Sequence, residues 1–218
     1  MKLEATPLHY VAIEGVIGAG KTTLAKMLAP RLNAELVLEQ FEDNPFLPLF
    51  YKEGGMHAFQ TQLFFLLSRF KQQQEITQID LFHSCMITDY VFERDRIFAS
   101  VTLSESELKL YDQVSSVLER NVPKPDLIVY LQSNVERLYN NIVQRGRPME
   151  QYITREYLEL LNEQYNYFFF RQQECPVLIV NSVDIDFVSN AEQFEELVSE
   201  ITRPRTAFIQ YYQPMRRL

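Results

Sequence analysis

The sequence predicts an α/β domain: a parallel β-sheet of about five strands flanked by helices. Short apolar runs recur along the chain, and longer helical patterns separate them. The first run ends in a glycine-rich turn that opens directly into a helix. With 218 residues, 46% of them hydrophobic and only 6 glycines, the chain suits a single domain, residues 1–218, with a real core.

In chain order, Leu8 to Glu14 reads as a strand, and a helix follows from about Lys21 to Leu32. Glu35 to Leu38 is a second strand, and Asn44-Pro45 marks a turn and a helix start. From His57 to Ile76, Phe59, Leu63, Leu66, Leu67 and Phe70 repeat on one broad helical face. Cys85 to Thr88 is a buried strand ending at Asp89. Helices are expected over Phe92 to Ala99 and Ser104 to Glu119, the second opened by Ser104 with Glu107 three residues on, a capping box. A strand over Asp126 to Leu131 leads to a helix from Val135 to Gln144, then to a charged stretch at 145–151. A helix from Arg155 to Arg171, a strand Val177 to Val180 and a helix Ala191 to Ile201 complete the alternation. The tail, about 203–218, holds four arginines and three aromatics and reads either as a docking strand or as a disordered end.

The formal charge of −8 argues against non-specific binding to nucleic acid or an anionic membrane. Cys85 and Cys175 sit inside apolar stretches and read as buried free thiols, with no disulfide framework or zinc pattern. The first ten residues hold no signal-peptide core, and the longest apolar run, Leu63 to Leu67, is too short to cross a bilayer. A reducing cytoplasm is the expected setting.

Gly15-Val16-Ile17-Gly18-Ala19-Gly20-Lys21-Thr22 satisfies G-x-x-x-x-G-K-[ST] between a strand and a helix, which is the context this phosphate-binding loop requires. Its glycines let backbone N–H groups turn inward around phosphates, and the helix N-terminus adds unsatisfied donors. Lys21 is placed to bridge β- and γ-phosphates and the Thr22 hydroxyl to ligate Mg²⁺, with ATP expected to sit along Gly15 to Thr23. The motif specifies a nucleoside triphosphate and its metal but leaves the acceptor open. The base-reading N-K-x-D of a GTPase is missing, so a small-molecule kinase leads.

Five further segments resemble the deoxynucleoside kinases. They are Leu38 to Leu47; Tyr51 with Gln62 and Arg69; Thr88 to Ala99; Val129 to Gln132; and Gln144 to Gln151. The resemblance runs from Val11 to about Leu161 and implies a P-loop kinase fold with an arginine-bearing lid at 145–151. It implies transfer of the ATP γ-phosphate to a deoxynucleoside 5′-hydroxyl, as in nucleotide salvage, by a homodimer.

Residue by residue, the resemblance makes Glu39 the general base, with Glu42 and Asp43 left as solvated turn residues. Tyr51 and Glu150 hold the sugar 3′-hydroxyl, and Gln62 pairs with the base; without that spacing, Gln60 and Gln62 are merely exposed helix residues. Arg69 and Asp95 form a couple beside the base, Phe98 packs on it, and Asp89 serves the metal with Thr22. Arg145 and Arg147 close over the transferring phosphate.

The sequence departs from the family at three positions. Gln40 replaces a proline, Asn141 replaces a lid arginine of some members, and Tyr90 stands where an arginine follows the metal-directed acid. Arg94, one helical turn later, either supplies that missing charge or is a surface residue, with Arg96 as a competitor. The Arg69–Asp95 couple implies a base with an exocyclic amino group, deoxyadenosine ahead of deoxyguanosine and deoxycytidine. The rival readings are a nucleoside monophosphate kinase of the thymidylate kinase type and a nucleotide-binding module without catalysis.

Overall fold

A computed structural model describes residues 8–53, 55–76 and 85–214. Its sheet has six strands: β1 (Tyr10–Glu14), β2 (Ala34–Val37), β3 (Cys85–Thr88), β4 (Leu127–Gln132), β5 (Val177–Asn181) and β6 (Ile209–Tyr212). All pair in parallel, in the spatial order β2-β3-β1-β4-β5-β6. The helices are α1 (Lys21–Arg31), α2 (Leu47–Lys52), α3 (Ala58–Ile76), α4 (Arg94–Thr102), α5 (Glu105–Leu118), α6 (Val135–Arg145), α7 (Arg155–Phe169) and α8 (Ala191–Thr202). Among the described residues no helix is long and apolar enough to cross a membrane.

Every residue of β1, β3 and the first five residues of β4 is buried, as expected of strands covered on both faces. Asp126 ties two of them together, its carboxylate accepting from the backbone N–H groups of His9 at 2.7 Å and Tyr10 at 2.9 Å. Four helices carry side-chain caps, at Ser104, Asn134, Thr154 and Asn190, and Ser104 with Glu107 forms the full reciprocal box. Gly146 ends α6 in the left-handed conformation, so the chain turns sharply into the segment 145–151.

The tail is a strand rather than a disordered end. Ile209 to Tyr212 adds β6 to the sheet, in register with Val177 to Val180, which makes six strands where about five were expected. Residues 215–218 of the tail lie outside the described residues. The helix anticipated at Asn44-Pro45 begins only at Leu47, after a 3₁₀ turn at Phe41–Asp43. Asn44 is buried because it is a brace: it donates to the Thr61 carbonyl at 3.0 Å and accepts from the Phe46 N–H at 3.0 Å. The apolar face of α3 turns inward. Leu66 is fully buried with Phe92, Ala99 and Tyr111 of the same chain, and Phe59, Leu63 and Phe70 pack around them, whereas Leu67 stays 48% exposed.

Glu93, just before α4, gathers with Glu119 and Glu174, their carboxylate oxygens within 4.8 Å of one another. Burial, reinforced by those two like charges, pushes the Glu93 carboxyl up to about 7. The native state therefore binds the proton more tightly than the unfolded chain, and stability falls as pH rises through the window up to about 7. Glu93→Gln is expected to melt at a higher temperature than the parent at pH 8, while the two melts converge near pH ~4. Thermal melts at both pH values check this.

Candidate active site

The strand order reverses around β1, with β3 on one side and β4 on the other, so a crevice opens at the carboxyl ends of the strands. The glycine-rich loop leaves β1 there. Gly18 has φ +87°, and a Cβ on it would lie 2.6 Å from the Leu138 carbonyl oxygen of α6, so the loop and α6 approach closely only through a glycine. Asn141, which stands where some family members carry a lid arginine, donates to the Gly18 carbonyl at 2.8 Å and pins the loop from α6.

Lys21 and Thr22 open α1. The Lys21 ammonium is buried and donates to the carbonyls of Gly15 at 2.8 Å and Val16 at 3.1 Å. Burial and the neighbouring Arg94 pull it down to about 8, against Glu14, Glu39 and Asp89, which hold it up. Thr22 donates to one carboxylate oxygen of Asp89. The other Asp89 oxygen accepts the backbone N–H of Glu39 at 2.8 Å. Val37 and Thr88 pair in register, so the chain ends carrying Glu39 and Asp89 leave the sheet side by side. A hydroxyl and a carboxylate in contact beside a phosphate loop are the hard oxygen donors that Mg²⁺ takes, and both residues fit that ion.

Glu39 lies between two guanidiniums. Arg69 of α3 donates to one oxygen, and Arg94 of α4 donates to the other at 2.5 Å. Burial alone would raise this carboxyl; Arg94, Arg69 and Lys21 outweigh it and hold it down at about 2. Arg69 also pairs with Asp95. Of the two arginines near Tyr90 that could supply its missing charge, Arg94 is buried on Glu39, so it is no surface residue, while Arg96 is exposed and paired with Asp112 at 2.9 Å. Tyr90 is fully buried with its ring 5.0 Å from the Arg69 guanidinium, a cation–π support for the arginine rather than a phosphate contact.

Glu39, Arg69, Arg94, Asp95, Asp89, Lys21 and Thr22 line a cavity of about 370 Å³ together with Tyr51, Gln62, Phe98, Arg145, Arg147 and Glu150, whereas Tyr90 and Arg96 do not line it. Gln62 is only 2% exposed, whereas Gln60 faces solvent, so the bland reading of Gln62 as a surface residue does not hold. Phe98 lies 5.2 Å from the Arg94 guanidinium. Arg145 and Arg147 both converge on the Glu150 carboxylate, Arg145 at 2.7 Å and Arg147 at 3.4 Å, and Arg147 also stacks 4.3 Å from the Phe41 ring. Burial and Glu150 push the Tyr51 phenol well above its usual range. Of the loop residues, Ile17, Gly18, Lys21 and Thr22 line the cavity; Val16 and Ala19 are buried, and Thr23 is exposed. Glu42 and Asp43 are exposed at its rim.

Sequence reasoning missed Glu14, Phe41, Phe65 and Tyr157. Glu14 is fully buried, and its carboxylate accepts the N–H groups of Gly15 at 3.0 Å and Val91 at 2.8 Å, tying the loop to the entrance of α4. Its signal was available: a lone acid at the end of an otherwise apolar strand. Phe41, Phe65 and Tyr157 line the cavity through tertiary packing and have no local mark.

A phosphate loop at the switch point of a parallel sheet, facing a carboxylate clasped by arginines and a lid that carries two more, defines a P-loop phosphotransferase. Within that class, residues 11–204 match the family model described as deoxynucleoside kinase, and the chain belongs to the deoxynucleoside kinase family. It is 38% identical over 197 residues to deoxyguanosine kinase of Bacillus subtilis (strain 168), a match covering 88% of this chain and 95% of that one. It is 32% identical over 199 residues to the deoxyadenosine/deoxycytidine kinase of the same organism, covering 88% and 90%. In structure it resembles the deoxyadenosine kinase of M. mycoides with bound dATP, with a TM-score of 0.78 and 25% identity, covering 89% of this chain and all of that one (100%).

Gly18→Ala is expected to cost about 1–3 kcal/mol, because the strained backbone and the carbonyl of Leu138 both reject the methyl group. A lower melting temperature with weaker ATP binding by titration checks it.

Proposed function

We propose that this kinase transfers the γ-phosphate of ATP to the 5′-hydroxyl of a deoxynucleoside, with deoxyadenosine preferred. The observation that carries the reading is Glu39, set between Arg69 and Arg94 on the wall of the cavity that the phosphate loop also lines. ATP lies on Gly15 to Thr23 in this scheme. The Glu39 carboxylate, ionised at every working pH, accepts a hydrogen bond from the 5′-hydroxyl and aims its oxygen at phosphorus. As the new P–O bond forms, that oxygen becomes acidic and its proton passes to Glu39 late in the transfer.

Arg94 stands in for the arginine absent at Tyr90. With Arg145 and Arg147 it supplies positive charge for the phosphoryl oxygens. Tyr51 and Glu150 take the sugar 3′-hydroxyl. Glu150 is also the carboxylate that holds both lid arginines, so sugar binding and lid position meet at one group. Thr22 and Asp89 would hold Mg²⁺, which when bound neutralises charge on the β- and γ-phosphates. Exposed Leu67 on α3 with Leu110 and Val117 on α5 supports the homodimer.

The Arg69–Asp95 couple beside Gln62 supports a base with an exocyclic amino group, and deoxyadenosine is ranked first among these. A second reading, deoxyguanosine, is favoured by the 38% identity to the Bacillus subtilis deoxyguanosine kinase. Measuring kcat/KM for the four deoxynucleosides decides between them: the larger value for deoxyadenosine upholds the first, and the larger value for deoxyguanosine replaces it.

Glu39→Gln is expected to lower kcat at least ~100-fold with ATP affinity unchanged. A near-normal rate removes Glu39 from the base role. Arg94→Met takes away one of the cations that hold Glu39 at about 2, so the acidic limb of the pH–kcat profile should move upward, toward the ordinary carboxylate range. An unmoved limb would show that Arg94 does not govern Glu39.

A further inference from the structure

Gln62 reaches across from α3 to α4, where its Nε2 donates to the Thr102 hydroxyl at 3.3 Å. Thr102 in turn donates to the Phe98 carbonyl at 2.8 Å. A threonine hydroxyl has one proton, and a carbonyl can only accept. The proton is therefore committed to Phe98, and Thr102 offers Gln62 only a lone pair. The carboxamide must turn its NH₂ toward Thr102, which leaves Oε1 and one remaining N–H for the cavity. Asp95, Phe98 and Thr102 lie at i, i+3 and i+7 on α4, so one helical stripe carries the couple with Arg69, the ring on the cavity wall and the group that orients Gln62.

This matters because a carboxamide flipped by 180° interchanges its donor and acceptor. Adenine and cytosine present an amino donor beside a ring-nitrogen acceptor. Guanine presents the reverse order, a carbonyl acceptor beside a ring N–H. A freely flipping glutamine serves either edge. One locked by Thr102 serves one edge well and meets the other with acceptor facing acceptor, unless it turns Oε1 onto the Thr102 lone pair.

We infer that Thr102 is a specificity-determining positioning residue, which chooses between 6-amino and 6-oxo purines by fixing the amide of Gln62. The inference rests on the reading of Gln62 as the residue that pairs with the base. Thr102 itself lines a neighbouring cavity rather than the one that holds Gln62, so it acts through the glutamine without touching the nucleoside.

The test uses the full chain with saturating ATP, deoxyadenosine and deoxyguanosine, and the variants Thr102→Val, Thr102→Ser and Gln62→Ala. Thr102→Val keeps shape and removes the lone pair. It should raise KM for the preferred nucleoside roughly 3- to 10-fold, the worth of one neutral hydrogen bond, and shrink the ratio of the two kcat/KM values by a similar factor. The KM for ATP should stay constant in the same preparation. Thr102→Ser keeps the hydroxyl and should retain the parent ratio. If Thr102→Val keeps that ratio while Gln62→Ala loses it, the positioning role of Thr102 is overturned and Gln62 stands. If Gln62→Ala leaves the nucleoside KM unchanged, the reading of Gln62 itself fails, and the inference with it.

Discussion

The Glu39 carboxylate, shared between Arg69 and Arg94, is the constraint around which the substrate half of this enzyme is assembled. Each partner comes from a different element: Glu39 follows β2, Arg69 lies in α3 and Arg94 opens α4. Removing one partner would leave a charge half-buried and uncompensated, which is why such groups hold their helices in place as well as their chemistry. Asp89 adds a third attachment through the Glu39 backbone N–H, and its other oxygen receives Thr22 of the phosphate loop. A chain of short polar contacts thus runs from Arg69 and Arg94 through Glu39 and Asp89 to Thr22 of the glycine-rich loop.

The sheet supplies the frame for that chain. Parallel pairing of β1, β3 and the edge strand β2 brings three carboxyl ends together, at Gly15, Glu39 and Asp89, without any of the three being near the others in sequence. Glu14 and Asn141 then hold the loop from below and from the side, satisfying backbone groups that close approach would otherwise leave unpaired. The α6 helix both supports Gly18 and ends at Arg145, so the lid is anchored to the helix that braces the phosphate cradle.

How much of this was legible in the sequence depended on the range of the interaction. The capping box at Ser104, the phosphate loop and the strand cores are local patterns, and they stand in the structure where periodicity and motif put them. Gln62 and Arg69, two helical turns apart, do face the same cavity. The replacement of the arginine at Tyr90 was legible only as a choice between Arg94 and Arg96. Two residues apart on a helix, they point to different sides, one onto Glu39 and one onto Asp112, and only the docking of α4 decides which side is the site. The tail was undecidable for the same reason: four strand residues bordered by arginines become β6 only because β5 offers an open edge.

The sequence by itself determined the alternating fold and the glycine-rich loop between strand and helix, because each is written in short-range spacing. Tertiary structure alone decided which charges meet. It placed Arg94 on Glu39, slid Tyr90 beneath Arg69 and turned the amide of Gln62 toward Thr102. Those outcomes follow from the packing of α3 and α4 against each other and against the chain after β2. The direction of a buried hydrogen bond or ion pair depends on partners tens of residues away, and no local pattern encodes it.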